Sequence, residues 1–114
     1  DLKDEWKKQI TNRRKNTRFA LNVDGHYFYQ ENWIKCRIYD LNINGACLWL
    51  KQSFVIGDII KVRFGLAEGE ENTFDTTVAN VNGPRIGIQF VGLDEFDRTF
   101  INKVISAKSK HFKI

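Results

Sequence analysis

The spacing of apolar positions changes twice along this chain. Leu2, Trp6 and Ile10 recur every four residues, a stripe one residue wide that fits a weak helix or linker over 1–12. From residue 19 the period is two. Phe19, Leu21 and Val23 alternate with small or polar residues, and Asp24–Gly25 predicts a turn, with a short strand over 26–30. In 33–41, Ile34, Cys36 and Ile38 share one face and Lys35 and Arg37 the other. Asn42 to Gly45 is turn chemistry. In 46–51, Ala46, Leu48 and Leu50 face inward and Cys47, Trp49 and Lys51 outward. Gly57–Asp58 predicts the next turn, and in 59–66 Ile60, Val62, Phe64 and Leu66 oppose Lys61 and Arg63. An acidic loop over 67–72 leads to strands over 73–82 and 85–91, joined at Asn82-Gly83-Pro84. The period then becomes helical. Phe96, Phe100, Val104 and Ala107 form a stripe with Ile101 and Ile105 beside it. Asp94, Glu95 and Asp97 lie early and Lys103, Lys108 and Lys110 late, which complements a helix dipole.

Six or seven short strands followed by one helix predict a mainly β fold, a small antiparallel barrel or sandwich with a C-terminal helix at one end or against an open face. A length of 114 residues suits one domain. Such a domain buries roughly 65% of its unfolded surface and needs neither disulfide nor metal. At 42% hydrophobic and 28% charged the composition is that of a folded soluble protein. No apolar run approaches the roughly 20 residues of a membrane span, and no signal peptide is visible. The chain starts at Asp1 and has no Met, so it is expected to be a piece of a longer protein with a domain upstream. Cys36 and Cys47 without a signal peptide point to free thiols and a cytoplasmic location, and strand parity puts them on opposite faces.

The net charge of +4 is unevenly placed. Residues 1–18 carry +4, residues 103–114 another +4, and 19–102 carry −4. The basic excess is terminal, which favours an anion-binding end segment over a protein coated in positive charge and leaves nucleic acid, a membrane surface and a small anionic ligand all open as its partner. Catalytic signatures are missing. There is no GxxxxGK[ST] or GxGxxG loop, no GxSxG serine, and His26, Cys36 and Cys47 lack the spacing of a zinc site. An enzyme and a metal site are therefore not expected.

Three motifs remain. Arg13-Arg14-Lys15-Asn16-Thr17-Arg18 places Arg14 and Arg18 as RxxxR just before a strand. A guanidinium is a planar fork that grips phosphate, pairs with guanine O6 and N7, or stacks on a base. A solvated basic linker is the plain alternative. Asp40-Leu41-Asn42-Ile43-Asn44-Gly45 is a turn whose Asp40 shares the core-facing parity of Cys36 and Ile38. A carboxylate there either shapes the turn or accepts from guanine N1 and N2, and Gly45 permits positive φ or close approach of a ligand. Arg85-Ile86-Gly87-Ile88-Gln89-Phe90 is a strand with an internal Gly that marks close contact with another backbone.

These motifs in this order resemble the PilZ domain, the bacterial receptor module for cyclic di-GMP, over residues 13–107, leaving 108–114 as a basic tail. The family pattern is RxxxR, then (D/N)xSxxG, then a GxxF-like strand and a C-terminal helix; Asn42 stands where the family has Ser. The resemblance implies a PilZ-like antiparallel β-barrel with no cofactor, and cyclic di-GMP as its ligand. Arg14 and Arg18, assisted by Arg13, would contact phosphates and guanine faces, with Asp40, Asn42 and Gly45 beneath a guanine. Trp49 shares the outward parity of Gly45 and Cys47 and would border the site, either stacking on a base or packing against the N-terminal segment or a partner. The 1–18 segment would fold over the ligand and relay binding to an attached domain or effector protein. The alternative is a PilZ-like adaptor that binds protein rather than nucleotide, with Trp6, Trp33 and Trp49 at its interface. A third reading, an RNA or single-strand binder, has only Lys35, Arg37 and Tyr39 on one strand to support it, so no nucleic acid polymer is expected as a partner.

Overall fold

A computed structural model describes residues 19–67 and 69–108. Its strands are β1 (Phe19–Tyr29), β2 (Asn32–Leu41), β3 (Gly45–Trp49), β4 (Ile59–Gly65), β5 (Glu71–Asn82) and β6 (Arg85–Phe90), and a helix, α1 (Glu95–Lys108), follows. All six strands pair antiparallel and close into a barrel in the order β1-β2-β3-β6-β5-β4. Closure removes the exposed strand edges that would otherwise invite association.

The strand count settles at six because Asp24–Gly25 is not a turn. β1 runs through it, and Gly25 pairs with Cys36. The reason for a glycine is space: a Cβ there would sit 2.9 Å from Ile38 Cδ1 and 3.0 Å from the Arg63 carbonyl oxygen. The chain reverses instead at Gln30–Glu31, with φ of 49° and 65° between the paired Tyr29 and Asn32. Positive φ at both central residues matches the twist of a two-residue hairpin.

The alternation built the core. Leu21, Val23, Tyr27, Ile38, Leu48, Ile60, Val62, Phe64, Phe74, Val78, Ile86 and Ile88 are buried in one cluster. Thr76 is a fully buried polar residue, and its hydroxyl donates to the Ile60 carbonyl at 2.9 Å. The helix joins this cluster through Ile101, Val104 and Ile105, while Phe96 is 74% exposed. The inward stripe is thus rotated one position from the expected Phe96–Phe100–Val104 line. Phe100 lies at its border, with its ring centroid 6.1 Å from Phe74 and 6.5 Å from Phe64, so the helix closes the aromatic side of the barrel interior. Asp94 caps the helix: its Oδ1 accepts from the Asp97 amide at 2.7 Å, and Asp97 Oδ2 accepts from the Asp94 amide at 3.2 Å.

Candidate functional site

Two bulges shape the end of β2. The β1–β2 register slips between Ala20 and Val23, and the β2–β3 register slips between Ile38 and Asp40. A bulge inserts a residue and reverses parity beyond it. Leu41 therefore takes the buried position, and Asp40 leaves the core-facing row for a half-buried place at its edge. There it pairs with Ala20 on one side and Cys47 on the other.

The turn that follows is held by Asn42. Its backbone amide donates to the Gly45 carbonyl at 2.9 Å. Its side-chain Oδ1 accepts from the amides of Asn44 at 2.7 Å and Gly45 at 3.0 Å. Asn42 is 8% exposed, so these bonds form largely out of water. The side-chain oxygen of Asn42 is thus committed to building its own turn.

Gly45 is buried at the start of β3, and its φ is not in the left-handed region. The backbone of β6 is what excludes a side chain here, since a Cβ on Gly45 would overlap the Ile88 carbonyl oxygen. The internal glycine of β6 is similar in kind. Gly87 faces the Asn80 side chain, whose Nδ2 would lie 2.6 Å from a Cβ, so the close neighbour is an amide side chain and not the expected backbone.

Trp49 lies on the outer barrel surface and is 52% exposed. It pairs with Arg37 on β2 and Arg85 on β6, and the Arg85 guanidinium lies 5.8 Å from its ring centroid. Tyr39 and Cys47 are half-buried nearby, and burial, then the neighbouring Cys47, raises the Tyr39 hydroxyl above its ordinary pKa. Asp40, Asn42, Gly45 and Trp49 thus lie along the end of β2, its turn and β3. Arg13, Arg14 and Arg18 lie outside the described residues, as does Trp6. What the structure does show is where their segment joins the barrel. Phe19, bonded to Arg18, pairs with Leu41, and Ala20 pairs with Asp40. Phe19, at the start of the described residues, therefore lies directly beside the Asp40–Gly45 turn. Arg37 and Arg85 carried no periodicity or spacing signal toward this site; only the strand register reveals them.

The other candidate surfaces are more committed. Lys35 and Arg37 both lie near Asp24, at 3.6 and 3.9 Å, which offsets the positive charge a nucleic acid groove would need. Trp33 is half-buried between the Phe28 ring at 5.1 Å and the Arg63 guanidinium at 4.3 Å. Cys36 is buried and Cys47 half-buried, and no disulfide joins them. Among the described residues no cluster of three His, Cys, Asp or Glu side chains could hold a metal, and no helix is long and apolar enough to cross a membrane.

The family model for the PilZ domain matches residues 12–106. The fold is similar to the PilZ domain with c-di-GMP of YcgR from Escherichia coli, at 14% identity and a TM-score of 0.73, covering 87% of this chain and 93% of that one. It is similar to the PilZ domain of CeSA from a cellulose synthesizing bacterium, at 12% identity and a TM-score of 0.64, covering 79% and 95%. It is also similar to K. pneumonia MrkH in its c-di-GMP complex, at 23% identity and a TM-score of 0.66, covering 82% of this chain but 50% of that one. Among curated proteins, none matches in sequence.

Proposed function

Because this chain belongs to the PilZ domain family, we propose that it binds cyclic di-GMP between the arginines of its N-terminal segment and the Asp40–Gly45 turn. The observation that supports this most is the register Phe19–Leu41 and Ala20–Asp40, which sets the residue bonded to Arg18 beside that turn. Arg14 and Arg18, with Arg13, supply planar cationic forks for the two phosphates and for guanine faces. The half-buried Asp40 carboxylate is an acceptor beside the Asn42–Gly45 turn, suited to guanine N1 and N2 donors. Asn42 holds the turn to which Asp40 leads, and Gly45 lets β3 run close to β6 at the site's edge. Trp49 borders the site. Each part recognises charge or a base edge and none performs chemistry, which is the part of a receptor.

The relay follows from the same layout. Ligand bridging the arginines to the turn orders residues 1–18 over the barrel wall and so repositions an attached domain or effector protein, an order–disorder switch. A soluble nucleotide messenger places this event in the cytoplasm. Calorimetric titration with cyclic di-GMP tests the reading. A micromolar ligand corresponds to about 8 kcal/mol, and each charge-assisted hydrogen bond to about 1.5–3 kcal/mol. Arg14→Ala should therefore weaken binding about tenfold or more. Equal affinity in both proteins removes the arginine mechanism.

A second reading has one observation in its favour. Phe28, Ile59 and Val91, at 39%, 78% and 51% exposure, line a shallow apolar groove on the β1–β4–β5 wall. An adaptor that binds protein alone would use such a surface, and absence of any cyclic di-GMP binding would favour it.

A further inference from the structure

We propose that Arg85, carried on Trp49, reads the Hoogsteen edge of a guanine and so makes this site choose guanine over adenine. The inference rests on the cyclic di-GMP reading and adds to it a residue that lies outside both the RxxxR motif and the Asp40–Gly45 turn.

The outer surface of β2, β3 and β6 is stepped. One cross-strand row holds Asp40, Cys47 and Gly87. The next row, two residues further along β3, holds Arg37, Trp49 and Arg85. Two residues of strand advance about 7 Å, roughly the width of a purine. The first row is low at the small, half-buried Cys47, and at the buried Gly87 it is covered by the Asn80 amide, which lies where a Cβ would stand. The second row is tall. The result is a floor that starts at the Asn42–Gly45 turn and ends at a wall of indole and guanidinium.

The two arginines of the wall are not equivalent. Arg37 lies 3.9 Å from Asp24, so its charge is partly engaged. Arg85 has no carboxylate partner among the described residues, and its guanidinium is 5.8 Å from the Trp49 ring centroid. A guanidinium held near an aromatic face keeps its N–H fork free for a ligand in the plane beyond. Guanine offers that fork two acceptors, O6 and N7. Adenine offers N7 but places an amino donor where O6 would be. The same arginine thus favours one base and opposes the other.

The test compares cyclic di-GMP with cyclic di-AMP by calorimetry on the 114-residue chain and its Arg85→Ala and Arg85→Lys forms. Arg85 is exposed, so all three should share one thermal unfolding midpoint. A bidentate arginine–guanine pair discriminates by about 5- to 150-fold. Arg85→Ala should weaken cyclic di-GMP by that factor and shrink the preference over cyclic di-AMP accordingly. Arg85→Lys keeps the charge without the fork and should lose most of the preference too. Unchanged cyclic di-GMP affinity in Arg85→Ala, or equal losses for both nucleotides, overturns the assignment while leaving the cyclic di-GMP reading intact. Failure of the unmodified chain to bind cyclic di-GMP overturns both.

Discussion

Replacing Asn42 with alanine removes the acceptor that closes the β2–β3 turn. Two backbone amides lose their partner, those of Asn44 and Gly45. The Gly45 amide is buried, so water does not readily replace the bond. An unsatisfied buried donor costs about 1–3 kcal/mol, and the part-buried Asn44 amide adds about 0.5–1 kcal/mol because it regains water more easily. The sum is about 1.5–4 kcal/mol, or a fall of about 6–16 °C in Tm for a domain of this size. Asn42→Ser keeps an acceptor of the kind that closes such turns, although a weaker one, and should retain at least half of that stability. Urea unfolding followed by circular dichroism measures both variants, with the m-value as a check that the unfolded state is unchanged. Asn42→Ala within about 0.5 kcal/mol of the parent chain would refute the reasoning, since buried loss of two bonds cannot be that mild.

Two further predictions concern packing and protonation. Gly45→Ala places a methyl group on the Ile88 carbonyl and forces β3 from β6, where the Phe90 amide donates to the Asn44 carbonyl at 2.8 Å. A loss of about 3 kcal/mol or more in chemical denaturation is expected, and native stability would show that the two strands part freely. Burial, and secondarily the charge of Asp24, pushes the Cys36 thiol from 9.0 up to about 12. The folded chain then holds this proton after the unfolded chain has lost it. Its contribution is therefore complete below about pH 8 and is lost as pH rises toward 12, by at most about 1.4 kcal/mol per unit. Cys36→Val should flatten that alkaline slope in pH-dependent melts without abolishing it, because burial also raises the Tyr27 hydroxyl. An unchanged slope in Cys36→Val would show that the thiol ionises alike in both states.

The strand interiors and the helix were readable because a period of two or of 3.6 records which face is buried. Ile34 to Ile38, Ile60 to Phe64 and Ile86 to Ile88 illustrate this. Glycine was the misleading residue. At Gly25 it signalled a turn, whereas the actual cause is the Arg63 carbonyl pressing on β1 from the neighbouring strand. The true reversal uses Gln30 and Glu31, which carry no turn signature, and tertiary pairing of the flanking strands imposes their positive φ. Simple parity puts Asp40 in the core-facing row because it cannot see a bulge, a feature that depends on the pairing partner. The turn at Asn42 was legible as a turn, since Asn, Asn and Gly cluster there. That the Asn42 side chain itself builds the turn was not, nor was the alignment of Arg37, Trp49 and Arg85, residues far apart in sequence.

The central claim is that one ligand joins the arginine segment to the Asp40–Gly45 turn. Amide hydrogen exchange with and without cyclic di-GMP, read by mass spectrometry, tests it most directly. The expected result is slowed exchange in two places together, residues 13–18 and residues 40–49, with the β4–β5 wall unaffected. Protection confined to the Phe28, Ile59 and Val91 face, or at the turn without the arginine segment, would contradict it.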